Sequence, residues 1–135
     1  MKRIHIHMFV SDIAESTRFY NTLFASQPSL EKHDYVRWEL ADPNLNFAIS
    51  DKGKAGIDHL GIQTDDAEEL TLISNPFTQS TAEPQQTSCC YARSTKVWAE
   101  DPQGIQWELF QTHENESSFY GAQNDSACCG TTCAC

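Results

Sequence analysis

The chain has 135 residues, of which 39% are hydrophobic, 10% aromatic and 21% charged. That is the material of one ordinary domain with a core, which excludes both a large multidomain enzyme and a disordered polyelectrolyte. Nine Lys plus Arg stand against nineteen Asp plus Glu, a formal net charge of -10, which repels phosphate backbones and anionic lipid, so neither nucleic acid nor a membrane is expected as a partner.

The segment Ile4 to Val10 alternates as a strand does, and Asp12 caps a following helix whose apolar positions are Ile13, Phe19, Tyr20, Leu23 and Phe24. After Pro28, the runs Tyr35 to Leu40 and Leu45 to Ile49 flank the turn Ala41-Asp42-Pro43-Asn44 and predict a hairpin. Gly53 and Gly56 bracket a short linker. Ile57 to Gln63 then reads as a new strand, and Asp65 or Asp66 opens a second, shorter helix ending near Ile73. The polar stretch Asn75 to Ser88 reads as a loop with one weak strand, leading into Cys89-Cys90-Tyr91. Lys96 to Glu100 and Ile105 to Gln111, joined by Asp101-Pro102-Gln103-Gly104, predict the last hairpin.

The second half therefore repeats the first as βαβββ. An offset of 54 residues sets His5 on His59 and Asp12 on Asp66. These boundaries give one domain over residues 1–112, with modules at 1–52 and 55–112, followed by a Cys-rich tail over 113–135 that lacks apolar periodicity and reads as flexible.

No window approaches the roughly 18 apolar residues of a membrane span, and Met1-Lys2-Arg3-Ile4-His5 alternates where a signal peptide needs a continuous apolar stretch. The cytoplasm is the expected location. The six cysteines cluster as Cys89-Cys90 and as Cys128, Cys129, Cys133 and Cys135, which is not the spread of a disulfide framework. Adjacent cysteines bridge each other only through a strained ring, so the pairs read as thiol ligands for something soft, such as trivalent arsenic, Cd(II) or Zn(II).

Alternation puts His5 and His7 on one face of the first strand, and Gln106, Glu108 and Phe110 on one face of the last. If two curved sheets face each other, His5, His59 and Glu108 converge in one cavity. Two imidazoles and a carboxylate with open positions beside them suit Fe(II) and oxygen chemistry, and the same ligands accept Zn, Mn, Co or Ni. His7 is the reserve ligand, although the repeat sets His5 opposite His59. His33 and His113, in turn and tail contexts, read as ordinary surface residues.

His5 to Asp12 with Phe19-Tyr20 and Leu23-Phe24, Asp58-His59-Leu60-Gly61-Ile62, and Asp101-Pro102-Gln103-Gly104 before Trp107-Glu108-Leu109 resemble the two modules of the vicinal oxygen chelate superfamily over residues 1 to 111. Within it the chain is similar to the ArsI/CadI family of organoarsenical carbon-arsenic lyases and cadmium-induced proteins. The blocks that carry this likeness are Met1 to His7, Asn46-Phe47-Ala48-Ile49-Ser50, Asp58-His59-Leu60-Gly61, Cys89-Cys90-Tyr91-Ala92 and Lys96-Val97-Trp98. The resemblance implies an α+β fold, the vicinal oxygen chelate fold, with its paired βαβββ modules curled into a barrel-like sheet around a metal site. It implies Fe(II) held by His5, His59 and Glu108, with O2 as co-substrate. It further implies a dioxygenase that cleaves the carbon-arsenic bond of trivalent methyl or aromatic arsenicals to arsenite, with Cys89 and Cys90 holding the arsenic.

Where glyoxalase I would supply a further carboxylate, the run Asn46 to Ser50 has Phe47-Ala48, which leaves a three-ligand site. Two other functions compete. One is a thiol-based protein that sequesters cadmium or arsenite without turnover; the other is a thiol transferase resembling glyoxalase I or a fosfomycin-resistance enzyme. Both modules lie in one chain, so a monomer and a homodimer fit equally.

Overall fold

The computed structural model describes residues 1–78 and 84–115. Cys128, Cys129, Cys133, Cys135 and the rest of the expected tail from residue 116 lie outside the described residues.

Ten elements follow in chain order: β1 (Arg3–Phe9), α1 (Ile13–Phe24), β2 (Leu30–Glu31), β3 (Tyr35–Leu40), β4 (Leu45–Ser50), β5 (Gly56–Thr64), α2 (Ala67–Thr78), β6 (Gln85–Cys89), β7 (Ala92–Glu100) and β8 (Gln106–Asn115). Each half is βαβββ, as the repeat predicts. Both helices start on the aspartates that the repeat aligns. Asp12 Oδ1 accepts from the Glu15 amide and Asp66 Oδ1 from the Glu69 amide, each at 2.8 Å, satisfying a donor that the first turn leaves without an intrahelical partner.

The strands form one eight-stranded sheet in the order β2-β3-β4-β1-β5-β8-β7-β6. The two halves are thus not separate sheets that face each other. They are joined edge to edge where β1 runs antiparallel to β5, and the curl of the continuous sheet makes the concavity.

Alternation then sorts the side chains. On the convex side Val36, Trp38, Phe47 and Ile49 pack with Val10 under Ile13, Tyr20 and Phe24 of α1. Leu70 and Ile73 of α2 cover Val97, Leu109 and Ile62 in the same way. The concave side instead buries polar groups: His5, His7, Arg37, Asn46, Ser50, His59, Lys96 and Glu108. Buried polar groups on this scale are stable only when paired, so the inside of the curl must be a hydrogen-bonded network.

Four sequence expectations need correcting. Phe19 and Leu23 are each 61% exposed, because α1 buries a narrow stripe through Ile13, Tyr20 and Phe24. The second helix does not stop near Ile73 but runs through Pro76 to Thr78; the proline removes a single N–H in the last turn, opposite the exposed Leu72. The two-residue strand β2 pairs with β3, although Leu30–Glu31 carries no alternation long enough to read. Finally β8 runs to Asn115, which puts His113 in a strand, exposed and 2.8 Å from Thr95 Oγ1, rather than in a tail. Among the described residues no helix is long and apolar enough to cross a membrane.

Candidate metal centre and thiol pair

The strand register brings the repeated histidines together. β1 and β5 lie side by side at the middle of the sheet, and His7 pairs with His59 while His5 pairs with Gly61. β8 lies next to β5 in parallel, with Glu108 beside Gly61. Three ligand atoms from three strands therefore meet. His5 Nε2 is 3.2 Å from His59 Nε2, His59 Nε2 is 2.9 Å from Glu108 Oε2, and His5 Nε2 is 3.6 Å from that same oxygen. Ligands ~2.1 Å from one divalent ion at right angles would stand about 3 Å apart, so these spacings fit a single cation touching all three.

The outer atoms of the ligands are fixed by neighbours. His5 Nδ1 lies 3.1 Å from the Asn46 carbonyl, and Asn46 is anchored in turn by Gln63 at 2.9 Å. His59 Nδ1 faces Asp58 Oδ2 at 2.7 Å. With Nδ1–H donating outward, each Nε2 lone pair is turned inward, which is the tautomer a metal needs. On the other side Lys96 Nζ, itself buried, holds Glu108 Oε1 at 2.6 Å and leaves Oε2 to face the imidazoles.

The electrostatics favour a positive charge at the centre. Burial would push Glu108 upward, but the Lys96 ammonium and the His59 hydrogen bond hold it well below the usual carboxylate range. Burial likewise opposes Asp58, yet its bonds to His59 and His7 bring it down to about 2. Burial disfavours a charged His59, but Asp58 and Glu108 outweigh that and raise it. For His5 burial prevails and lowers it to about 3. A proton on His59 thus sits where a metal cation would be held by the same acceptors.

His7, the reserve ligand, is turned away. Its Nδ1 is 2.9 Å from Asp58 Oδ2 and its Nε2 is 3.1 Å from Ser50 Oγ. Asp58 thus bridges His7 and His59, and these three form a second group of ligand atoms that shares His59 with the first. His33 is exposed beside Asp34.

The repeat also shows what module one lacks. The offset that superposes His5 on His59 sets His7 on Gly61; His7 pairs with Ala48 in β4 as Gly61 pairs with Glu108 in β8. Ala48 therefore stands where a fourth, carboxylate ligand would come from, as the Phe47-Ala48 run implies.

Cys89, Cys90, His5, Lys96 and Glu108 border one open pocket, walled by Tyr35, Arg37 and Phe110. The cysteine pair sits at the tip of the β6–β7 hairpin. Cys89 pairs with Ala92, so the chain reverses in two residues, Cys90 (φ 57°) and Tyr91 (φ 58°). Two positive φ values are the mark of a type I′ turn, usually built from Asn and Gly; in other residues the conformation costs on the order of 1–2 kcal/mol each. The sulfurs are 3.6 Å apart, too far for a bond between them. Contrary to the expectation of a thiol, Cys89 is half of a disulfide in this structure, so a role as arsenic ligand requires its reduction.

Sequence reasoning did not single out Asp58, Lys96, Asn46 or the partner of Tyr91. A carboxylate next to a ligand histidine is a usable signal for the first. The others are joined to the site by contacts across the sheet that leave no local pattern.

No protein-family model matches the chain. Among curated proteins it is 34% identical to the trivalent organoarsenical cleaving enzyme of Bacillus sp. strain MD1, over 83% of this chain and 74% of that one. It is also 34% identical to the probable trivalent organoarsenical cleaving enzyme of Bacillus subtilis strain 168, over 97% and 92%. The cadmium-induced protein CadI of Mycobacterium tuberculosis is 27% identical over 88% and 82%. Among solved structures, a glyoxalase/bleomycin resistance protein/dioxygenase superfamily member from Vibrio splendidus shares the fold at TM-score 0.55 and 15% identity, over 84% of this chain and all of that one. The Mn(II)-bound glyoxalase of Novosphingobium aromaticivorans does so at TM-score 0.61 and 15% identity, over 94% and 44%.

Proposed function

The chain belongs to the family of the trivalent organoarsenical cleaving enzymes and cadmium-induced proteins, and from that membership we propose that it is an Fe(II)-dependent dioxygenase that breaks the carbon-arsenic bond of trivalent methyl or aromatic arsenicals. The observation that carries this reading is the shared pocket. His5 and Glu108 reach it from the sheet floor, and Cys89 and Cys90 reach it from the hairpin tip.

His5, His59 and Glu108 would hold the metal through Nε2, Nε2 and Oε2. Iron bound there would supply the redox chemistry that oxygen needs, and Ala48 in place of a fourth ligand leaves positions open for it. Asp58 and Asn46 keep the imidazoles turned inward. Lys96 keeps Glu108 ionised and ligating through one oxygen. Reduced Cys89 and Cys90 take the arsenic atom, converting a bimolecular encounter into an oriented one. For methylarsonous acid and one O2 the atoms balance as formaldehyde and arsenous acid: the carbon-arsenic bond breaks, carbon is oxidised, oxygen is reduced and arsenic stays trivalent.

The thiol pair and the cadmium-induced relatives favour one alternative, a sequestering protein without turnover. Speciation of arsenic after incubating reduced, Fe(II)-loaded protein with excess phenylarsenous acid decides between them. Arsenite appearing in air and not under argon supports the lyase. Arsenical retained on the protein at one equivalent, with no arsenite, supports sequestration.

A further inference from the structure

We propose that Tyr91 and Asp34 form a latch that closes the open ends of the sheet and positions the cysteine pair above the His5, His59 and Glu108 group. The inference rests on the arsenical reading of the pocket, because the pair it positions is the proposed arsenic ligand.

The sheet is not a closed barrel. Its ends are β2 and β6, the first and last strands of the eight. Among the described residues β6 is bonded to the sheet through β7 alone, and its tip reverses at two non-glycine residues in the left-handed region. Such a tip needs an external hold to keep one conformation. With Cys89 reduced, a hold comes from module one. Tyr91 Oη donates to Asp34 Oδ1 at 2.5 Å across 57 residues of sequence, and both residues are 5% exposed. Asp34 is fixed in turn by Lys52 Nζ on its other oxygen at 2.7 Å.

The ring of Tyr91 is held as well as its hydroxyl. Lys32 Nζ lies 5.5 Å from its centroid, and the Tyr35 ring packs 6.0 Å away. Cys89 lies in the same buried cluster as Tyr35, Ala48 and Tyr91. Lys32, Asp34 and Tyr35 all belong to the β2–β3 turn and the start of β3, so the β6–β7 tip is docked on the β2–β3 turn. The residue next to the cysteines thereby links them to strands β3 and β4, whose neighbour β1 carries His5. Tyr91 and Asp34 touch neither metal nor arsenic; they are positioning residues.

The test uses the full chain, reduced with a phosphine that does not compete for arsenic, in wild-type, Tyr91→Phe, Asp34→Asn and doubly substituted forms. Phenylarsenous acid is the arsenic probe, Co(II) absorption reports the metal group, and amide exchange at Cys90 to Ala92 reports the tip. Each single substitution should weaken the arsenical about tenfold, as losing one hydrogen bond to a charged acceptor does. The double substitution should add less than about twofold more, because the two residues act as one unit. Co(II) affinity should stay unchanged, and exchange at the tip should quicken about tenfold. Unchanged arsenical affinity, or Co(II) affinity falling in parallel, overturns the latch, since the bond would then only support the fold. If the wild-type protein itself does not take the probe, the arsenical reading fails and exchange alone decides: a faster tip in the variants sustains the latch, and an unchanged one overturns it.

Discussion

Gly61 lies so close to Glu108 that a Cβ added to it would sit 2.4 Å from the Glu108 carbonyl oxygen and 3.2 Å from the Glu108 Cβ. Backbone cannot yield there as a side-chain end can, so Gly61→Ala must push β8 away from β5. Overpacking of this kind costs roughly 1–3 kcal/mol, and the displaced residue is itself a ligand. Metal affinity in Gly61→Ala should fall at least about tenfold, read by titration with Co(II). Unchanged affinity would mean that the spacing of β5 and β8 does not set the site.

Lys96 and Glu108 form a buried ion pair at 2.6 Å. Removing one partner strands the other charge, which typically costs about 3–5 kcal/mol. Glu108→Ala should therefore lower the unfolding free energy of the metal-free protein by that order and abolish metal binding. Adding Lys96→Met to Glu108→Ala should recover most of the stability and none of the metal binding. Stability that is not recovered would place the loss in packing rather than in charge.

Acid should destabilise the metal-free protein through its histidines. His5 is lowered to about 3 by burial from an unfolded value of ~6.5. Below ~6.5 the unfolded chain takes up a proton that the folded one refuses, so this stability is intact above that pH and is lost as pH falls toward 3. His7, also lowered by burial, acts in the same direction. His59 is raised; its contribution is complete below ~6.5 and fades only as pH rises through its folded value. Between about pH 6 and 5 the denaturation free energy should fall by at least ~1.4 kcal/mol per pH unit. His5→Asn should reduce that slope by one proton, and an unreduced slope would contradict the assignment.

The two halves of the pocket should fail separately. Cys89→Ser and Cys90→Ser should each raise the KM for a trivalent arsenical about tenfold or more while Co(II) binds as in the wild type. His59→Ala should lose metal yet still bind phenylarsenous acid. Loss of metal in the cysteine variants would merge what the geometry keeps apart.

Much of this was legible in the chain because local period and internal repeat are strong signals. Alternation set His5 on one face of β1 and Glu108 on one face of β8, and the 54-residue offset paired the histidines and both helix caps. Apolar character alone misled for Phe19 and Leu23, which helical spacing set beside the buried stripe and the structure leaves to solvent. The run through Pro76 was hidden because a proline near a helix end costs a single bond. Lys96 and the Tyr91–Asp34 bond were illegible for another reason: they depend on which strands become neighbours, and that is fixed by the closure of the whole sheet.

The proposed lyase activity requires one pocket to hold both the metal and the arsenic and to use oxygen to part arsenic from carbon. Reduced protein loaded with Fe(II) under argon, given methylarsonous acid and then exposed to oxygen, tests it when oxygen uptake, arsenite and formaldehyde are measured together. Repeated turnover is expected with the three in about 1:1:1 ratio, as the atom balance requires, and none of it in Glu108→Ala. Tight retention of the arsenical with no oxygen uptake, or arsenite release that Glu108→Ala leaves intact, would contradict it.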